Sequence, residues 1–430
     1  MWNASCSTVA VLGVPFHNVT MDETVALIEE QIREGGFHQV ATANVDFLKN
    51  AMHNKDLRDI LCSCEMIVPD GMPVVWMSRL IGTPLKERVS GIDLVERLAD
   101  VSARRGYGIF FLGASEAHSQ RAAKVLRQRF PDLRIVGRYS PEPQPIEKMD
   151  HEEILRRIEE AGPDILLVAF GNPKQEQWIA MHRDRLKVPV CIGVGGTLDS
   201  LSGTVPRAPR WMQRYGLEWL HRTLQEPRRL AARYLADAFC LLRHLPGYIA
   251  ATAAQPTHCV EPNIVIQQVG NTKLISMVGD LKGPALEEFN ACSRDACLEG
   301  MNIVLDLSQT GYLGPESLGS LIRLESRMRR RREQLWLAEL PSHLSRVLRT
   351  GQLHNYFMTT TMVSDALYRT AKAEQRLLAS FTPSWGANRR ETAHLDVRVE
   401  LLQDVCRRII AAEESNETTL VPAVFASAGR

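Results

Sequence analysis

The chain has 430 residues, 45% of them hydrophobic and 23% charged, with 51 basic side chains against 50 acidic ones. That length exceeds one ordinary core and predicts two or three domains, and the composition excludes a disordered or fibrous protein. A net charge of +1 gives no global attraction to nucleic acid, so none is expected as a partner and any basic feature must act locally.

The nine cysteines have no regular spacing, and neither Cys62 and Cys64 nor Cys292 and Cys297 are set as a zinc or redox pair. Reduced thiols in a cytoplasm are the simplest account. The N-terminus lacks the basic start and apolar core of a secretory signal. The stretch nearest to a membrane span, residues 234–254, is interrupted by Asp237, Arg243, His244 and Pro246. Crossing is therefore not expected, while contact with a membrane surface stays open.

In chain order, residues 8–14 read as a strand, and Thr20 and Glu23 have capping-box spacing before the apolar-periodic Val25, Ile28 and Ile32. Strand and helix then alternate: strands at 38–43, 66–69, 108–112, 133–136, 164–170 and 188–194, with helices at 45–52, 56–62, 92–105, 117–130, 154–158 and 174–186. Strands apolar on both faces belong in a covered parallel sheet, which predicts a Rossmann-like, doubly wound, mainly parallel α/β fold.

Ligands of such sheets bind beyond the strand carboxyl ends. Five of those ends carry small or polar residues: Thr42 and Asn44, Asp70 and Gly71, Gly113 to Ser115, Gly171 to Glu176, and Gly193 to Asp199. Together they point to a nucleotide-type ligand, although Gly113-Ala-Ser lacks the dinucleotide fingerprint. Asp70 and Gly71 also fit a plain helix cap and turn. In Gly171-Asn-Pro-Lys-Gln-Glu, the glycine admits close approach, Pro173 suits a helix start, and Lys174 and Gln175 offer an ammonium and an amide where anions are favoured. A capped surface helix would have the same composition.

From Gly203 the character changes. Trp211, Tyr215 and Trp219 recur every fourth residue, while Arg207, Arg210 and Arg214 follow a helical face, with Arg222 further on and then Arg228, Arg229 and Arg233. Such a segment can close over a diphosphate, lie on anionic lipid, or simply be a helix with a packed aromatic stripe and solvated arginines.

With T-A-N-V-D at 42–46, P-D-G-M-P at 69–73, E-R-V-S-G-I-D at 87–93, G-N-P-K-Q-E at 171–176, G-V-G-G-T-L-D at 193–199, and then R-A-P, E-W-L-H-R and E-P-R-R-L, residues 8–245 resemble the WecG/TagA/CpsF family of bacterial glycosyltransferases. The resemblance implies inverting transfer of N-acetylmannosamine or a related hexose from a UDP-sugar to a polyprenyl-diphosphate-linked acceptor, at the inner face of the cytoplasmic membrane. It implies no metal and no cofactor beyond the UDP-sugar substrate. Carried over by position, Asp70 is the general base. Thr42, Asn44, Gly71, Arg88, Asp93, Gly113, Gly171, Pro173, Lys174, Gln175, Glu176 and Gly195 line the substrate pocket. Arg207, Arg214, Arg222 and Arg229 sit in a C-terminal appendage that completes the site. A carboxylate can take the proton of an acceptor hydroxyl, and arginines can stabilise the departing diphosphate.

Further on, strands are expected at 264–269, 274–278, 303–307 and 335–340, with helices at 284–298, 317–330 and 341–350. N-I-V-L-D-L-S-Q-T-G-Y-L-G-P-E-S-L-G-S-L at 302–321 resembles the central motif of STAS domains. Gly314-Pro315 stands where that family has an Asp-Ser pair, so a docking or regulatory module for a protein partner is expected, and no phosphorylation switch. Asp306 is read as bonding backbone amides, and the basic run 327–332 as a solvated face or a site for an acidic partner or lipid.

The expected organisation is a glycosyltransferase domain over 1–205, a helical appendage over 206–249, a linker over 250–262, a smaller α/β STAS-like domain over 263–379, and a tail over 380–430 with an amphipathic helix at 395–412. The rival reading is a non-catalytic nucleotide-sugar sensor that signals through the STAS-like domain; a nicotinamide oxidoreductase is weaker without the fingerprint. Donor sugar, acceptor and oligomeric state, monomer or homo-oligomer, are not legible.

Overall fold

The computed structural model describes residues 7–203, 207–214, 216–225, 227–256 and 261–381, and the chain divides into two compact units after Ala250. The side chains of Arg210, Arg214 and Arg229, the whole of Tyr215, and the expected helix at 395–412 lie outside the described residues.

The first unit runs β1 (Thr8–Val11), β2 (Val14–His17), α1 (Met21–Glu34), β3 (His38–Ala43), α2 (Val45–His53), α3 (Lys55–Ser63), β4 (Met66–Pro69) and α4 (Met72–Leu80). It continues with α5 (Gly91–Arg105), β5 (Ile109–Gly113), α6 (Glu116–Arg129), β6 (Ile135–Tyr139), α7 (His151–Ala161), β7 (Ile165–Ala169), α8 (Lys174–Met181), β8 (Val190–Gly193) and α9 (Thr197–Leu201). The helices α10 (Arg210–Arg214), α11 (Glu218–Gln225) and α12 (Pro227–Ala253) close it.

Six strands form one parallel sheet in the order β4-β3-β8-β7-β5-β6. Phe110 and Phe111, neighbours on β5, show why it is covered on both sides. Alternation along the strand sends Phe111 into a core with Ile28, Leu94 and Leu98, and Phe110 into another with Ile154, Ile158 and Trp178. Parallel pairing brings all six carboxyl ends to the same edge.

Three expectations are corrected. Residues 8–14 are two strands, because Leu12 and Gly13, both at positive φ, make a two-residue hairpin turn. The aromatics at 211–219 do not share one helix, since α10 stops before Gly216, whose φ is +72°. The stretch from 250 is not irregular at its start, since α12 continues through Pro246 to Ala253. Tyr248 fixes this end: it is buried and donates to the Ala10 carbonyl at 3.0 Å, among Phe47, Leu48 and Ala51. No helix among the described residues is long and apolar enough to cross a membrane.

The second unit contains β9 (Asn263–Val269), β10 (Thr272–Leu281), α13 (Pro284–Leu298), β11 (Asn302–Leu313), α14 (Pro315–Arg331), β12 (Leu335–Ala338), α15 (Ser342–Thr350), β13 (Met358–Thr360) and α16 (Val363–Phe381). Its sheet is ordered β13-β12-β11-β10-β9, with β9 antiparallel to β10 and the other pairs parallel. The sequence reading missed β13 and α16. Asp306 accepts from the Ser308 amide at 3.0 Å, as expected. Ser317 is buried and donates to the Leu281 carbonyl. The run 327–332 is not uniformly solvated, since burial and neighbouring arginines push the Arg327 guanidinium down to about 9.

Candidate active site

Because β4, β3, β8 and β7 are successive neighbours, Asp70, Gly195 and Gly171 in the turns after their strands stand side by side at the carboxyl edge with Thr42, near the end of β3. Gly113 ends β5, one strand further on, and its φ of +94° and its closeness to the Ala169 carbonyl leave no room for a side chain.

Asp70 follows the last residue of β4, and its amide donates to the Ala43 carbonyl at 2.9 Å. The neighbouring loop is tied in by the Val89 amide, 2.9 Å from the Pro69 carbonyl. Asp70 does not cap α4. Gly71 takes the N-cap position at a φ of +121°, with no side-chain cap bond, which leaves the Asp70 carboxylate for other work. The residue is half-buried. Burial drives its pKa up to about 6, against the pull of Arg222, Arg88 and the Gly91 amide, while Glu218 pushes it further up. A partly accessible carboxylate poised near neutrality fits a general base.

Thr42 is buried beside it and donates to the Gly193 carbonyl at 3.0 Å. Gly91 packs so closely that a Cβ there would lie 3.1 Å from Thr197 Oγ1 and 3.4 Å from Thr42 Oγ1. Asn44 caps α2, its side chain accepting from the Asp46 amide at 3.1 Å.

The arginines divide into two groups. Arg88 donates to Glu218 and lies 3.5 Å from Asp93, while Arg207 donates to Asp93 at 2.5 Å and approaches Glu218 at 3.6 Å. These four side chains form one charge-balanced cluster. Arg222 donates to a hydroxyl, Ser200 Oγ at 3.4 Å, its charge acts on Asp70, and among the described residues no carboxylate forms an ion pair with it. Tyr234 on α12 stands near enough for Asp70 and Arg222 to affect its ionisation, and its ring meets Trp219 edge-on at 5.9 Å.

The Gly171–Glu176 turn builds the wall behind the site. Asn172–Pro173 is a cis peptide, and Pro173 precedes α8. Lys174 donates to the Gln144 carbonyl and lies over the Phe170 ring, so its ammonium is engaged by the protein. Gln175 is buried, not exposed to a pocket, and its Oε1 accepts from the amides of Gly171 at 3.1 Å and Gly195 at 2.9 Å. Its Nε2 donates to Glu176 at 2.8 Å. Burial raises the Glu176 carboxyl to about 8, so it is protonated at neutrality.

The sequence reading passed over Glu218, Tyr234 and the pair His118 Nδ1–Asp199 Oδ1 at 2.8 Å. Glu218 opens the quoted E-W-L-H-R and Asp199 ends G-V-G-G-T-L-D, so the motif letters were visible but not their partners. His118 carries no sequence signal beyond its place in the first turn after β5.

These features define an α/β protein with a carboxylate and arginines gathered at the carboxyl edge of a parallel sheet. Residues 9–253 match the glycosyl transferase WecG/TagA/CpsF family, and the chain belongs to it. It is therefore a glycosyltransferase. Residues 264–363 match the Mlab, STAS domain family. The chain is 36% identical over 190 residues, 44% of its own length and 72% of the relative's, to an N-acetylglucosaminyldiphosphoundecaprenol N-acetyl-beta-D-mannosaminyltransferase of Bacillus spizizenii. To proteins of the same name it is 31% identical in Bacillus subtilis, over 52% of this chain and 85% of the relative, and 29% identical in Staphylococcus aureus, over 53% and 88%.

Proposed function

We propose that this enzyme moves N-acetylmannosamine, or a closely related hexose, from a UDP-sugar to a sugar on a polyprenyl diphosphate, with inversion at the anomeric carbon. The observation that carries the reading is Asp70, a half-buried carboxylate with a pKa near 6 that faces Arg222 and Arg88 at the sheet's carboxyl edge. The relatives' printed names supply the sugar and the acceptor class.

The ionised Asp70 takes the acceptor hydroxyl proton as the new oxygen–carbon bond forms on the face opposite the leaving group. UDP departs with growing negative charge. Arg222, without a carboxylate partner among the described residues, is the guanidinium free to meet it, while Arg88 and Arg207 would share their charge between Asp93, Glu218 and the diphosphate. No metal or other cofactor enters this scheme.

A lipid-linked acceptor requires contact with a membrane surface, and the appendage supplies apolar area for it. Leu235, Phe239 and Leu242 on α12, Leu224 on α11 and Trp211 on α10 are all more than half exposed, with Arg228 and Arg243 exposed nearby. The proposed location is the inner face of the cytoplasmic membrane. The STAS-like unit is proposed to dock a protein partner or regulate transfer.

The test is a screen of UDP-sugars against a polyprenyl-diphosphate-linked sugar, following UDP release. UDP released only when donor and acceptor are both present supports the reading. Saturable donor binding without turnover by any pair would replace it with a sensor.

A further inference from the structure

Lys49, on the second turn of α2, sits between two carboxylates: its ammonium is 2.7 Å from Asp46 and 2.6 Å from Asp237. The three side chains keep 19%, 13% and 6% of their surface, so the contacts are largely shielded from water and salt. Asp46 also accepts from the Asn172 amide at 3.0 Å, and Arg233 stands 4.0 Å away. The two carboxylates and two cations balance. Three parts of the candidate site therefore meet at one partly buried lysine: α2, which leads from Thr42 and Asn44; the Gly171–Glu176 turn, through the side chain of Asn172 on Asp46; and the appendage, through Asp237.

Asp237 lies one turn after Tyr234, whose ring meets Trp219 at 5.9 Å and whose ionisation the Asp70 charge affects. The remainder of α12 is secured differently, by Leu241, Leu245, Tyr248 and Ile249 against the core. Apolar packing thus holds the far half of the helix, while the half nearer the site combines the buried Leu230 and the Tyr234–Trp219 ring contact with the Lys49–Asp237 ion pair. We propose that Lys49, bridging Asp46 to Asp237, is a positioning residue that sets the appendage over Asp70. Lys49 touches no substrate in this scheme and acts through α12, and the proposal rests on the glycosyltransferase reading above for its effect on rate.

Geometry of this kind is costly to lose, since a shift of about 1 Å far from the chemistry lowers a rate about 100-fold. The experiment uses the full chain with Lys49→Met, Asp237→Asn and Lys49→Arg. The first two should lower kcat about 100-fold, and Lys49→Arg, which keeps a cation able to span both carboxylates, should restore most of it. Amide hydrogen exchange in the same variants separates positioning from general damage. Lys49→Met should speed exchange over residues 218–236 and leave the six-stranded sheet and residues 241–250 protected. Unchanged exchange over 218–236, or faster exchange throughout the sheet, overturns the proposal; so does wild-type kcat in both Lys49→Met and Asp237→Asn. If the wild-type protein turns over no donor and acceptor pair, the transferase reading fails, and the exchange pattern still decides whether Lys49 seats the appendage.

Discussion

Gln175 joins the ends of two neighbouring strands through one oxygen: its Oε1 accepts from the amide of Gly171, beyond β7, and from that of Gly195, beyond β8. The side chain is buried, and its nitrogen is spent on Glu176. Gln175→Ala would remove the partner of two part-buried amides, each at a cost of about 1 kcal/mol where water can partly replace the lost bond. The expected result is a Tm several degrees lower together with a loss of transfer, read by calorimetry and steady-state rates. A variant with wild-type Tm would show that the two turns do not depend on this link.

The charges around Asp70 give a pH signature with opposite signs. A base works only when ionised, so kcat/KM should rise with pH through about 6 and be lost below it. Glu218 pushes that carboxyl up and Arg88 pulls it down. Glu218→Gln should therefore move the acid limb to lower pH, and Arg88→Met should move it to higher pH. Rate profiles for the two variants check this, and shifts in the same direction would refute the assignment. Asp70→Asn should abolish transfer while donor binding, measured by calorimetric titration, stays largely intact.

Gly216 is the contact on which the appendage meets α4. Its φ is +72°, and a Cβ there would run into the Met72 side chain and come within 3.2 Å of Trp76. Gly216→Ala is therefore strained twice, in its backbone and against the helix that begins after Asp70 and Gly71. Transfer should fall at least tenfold, on the order expected when a catalytic arrangement is displaced by less than 1 Å. The Tm should change little, because α10 and α11 bury few core residues. A large fall in Tm with unaltered kcat would contradict this division.

The α/β class was legible because strands buried on both faces are written as continuous apolar runs, as in Ile165–Ala169 and Val190–Gly193. Asp70 was legible because it follows such a run and precedes a glycine. What the letters could not give is who pairs with whom. Arg88, Arg207 and Arg222 look alike in sequence, yet the first two are engaged by Glu218 and Asp93, 130 and 114 positions away, and the third meets a serine hydroxyl. Gln175 and Lys174 read as exposed first-turn residues, because nothing local says that the Gly195 amide and the Gln144 carbonyl will arrive from other strand ends. The stripe at Trp211 and Trp219 misled because a helical period cannot reveal that Gly216 breaks the helix.

Glu176 offers a test of the same wall that needs no substrate. Its carboxyl is fully enclosed, with a pKa near 8 against an ordinary 4.5, and burial is the principal cause. Between those values the native state holds a proton that the unfolded chain has released. The stability tied to that proton is complete below the unfolded pKa and is lost as pH rises through the folded one. Glu176→Gln keeps the shape and an oxygen for the Gln175 amide but removes the titration. The variant should therefore gain on the wild type as the pH is raised from about 5 to about 8.5. Thermal unfolding of both proteins across that range measures the gap. Parallel Tm curves would mean that Glu176 does not carry the proton, and with it would go the account of Gln175 as a donor to a neutral acid.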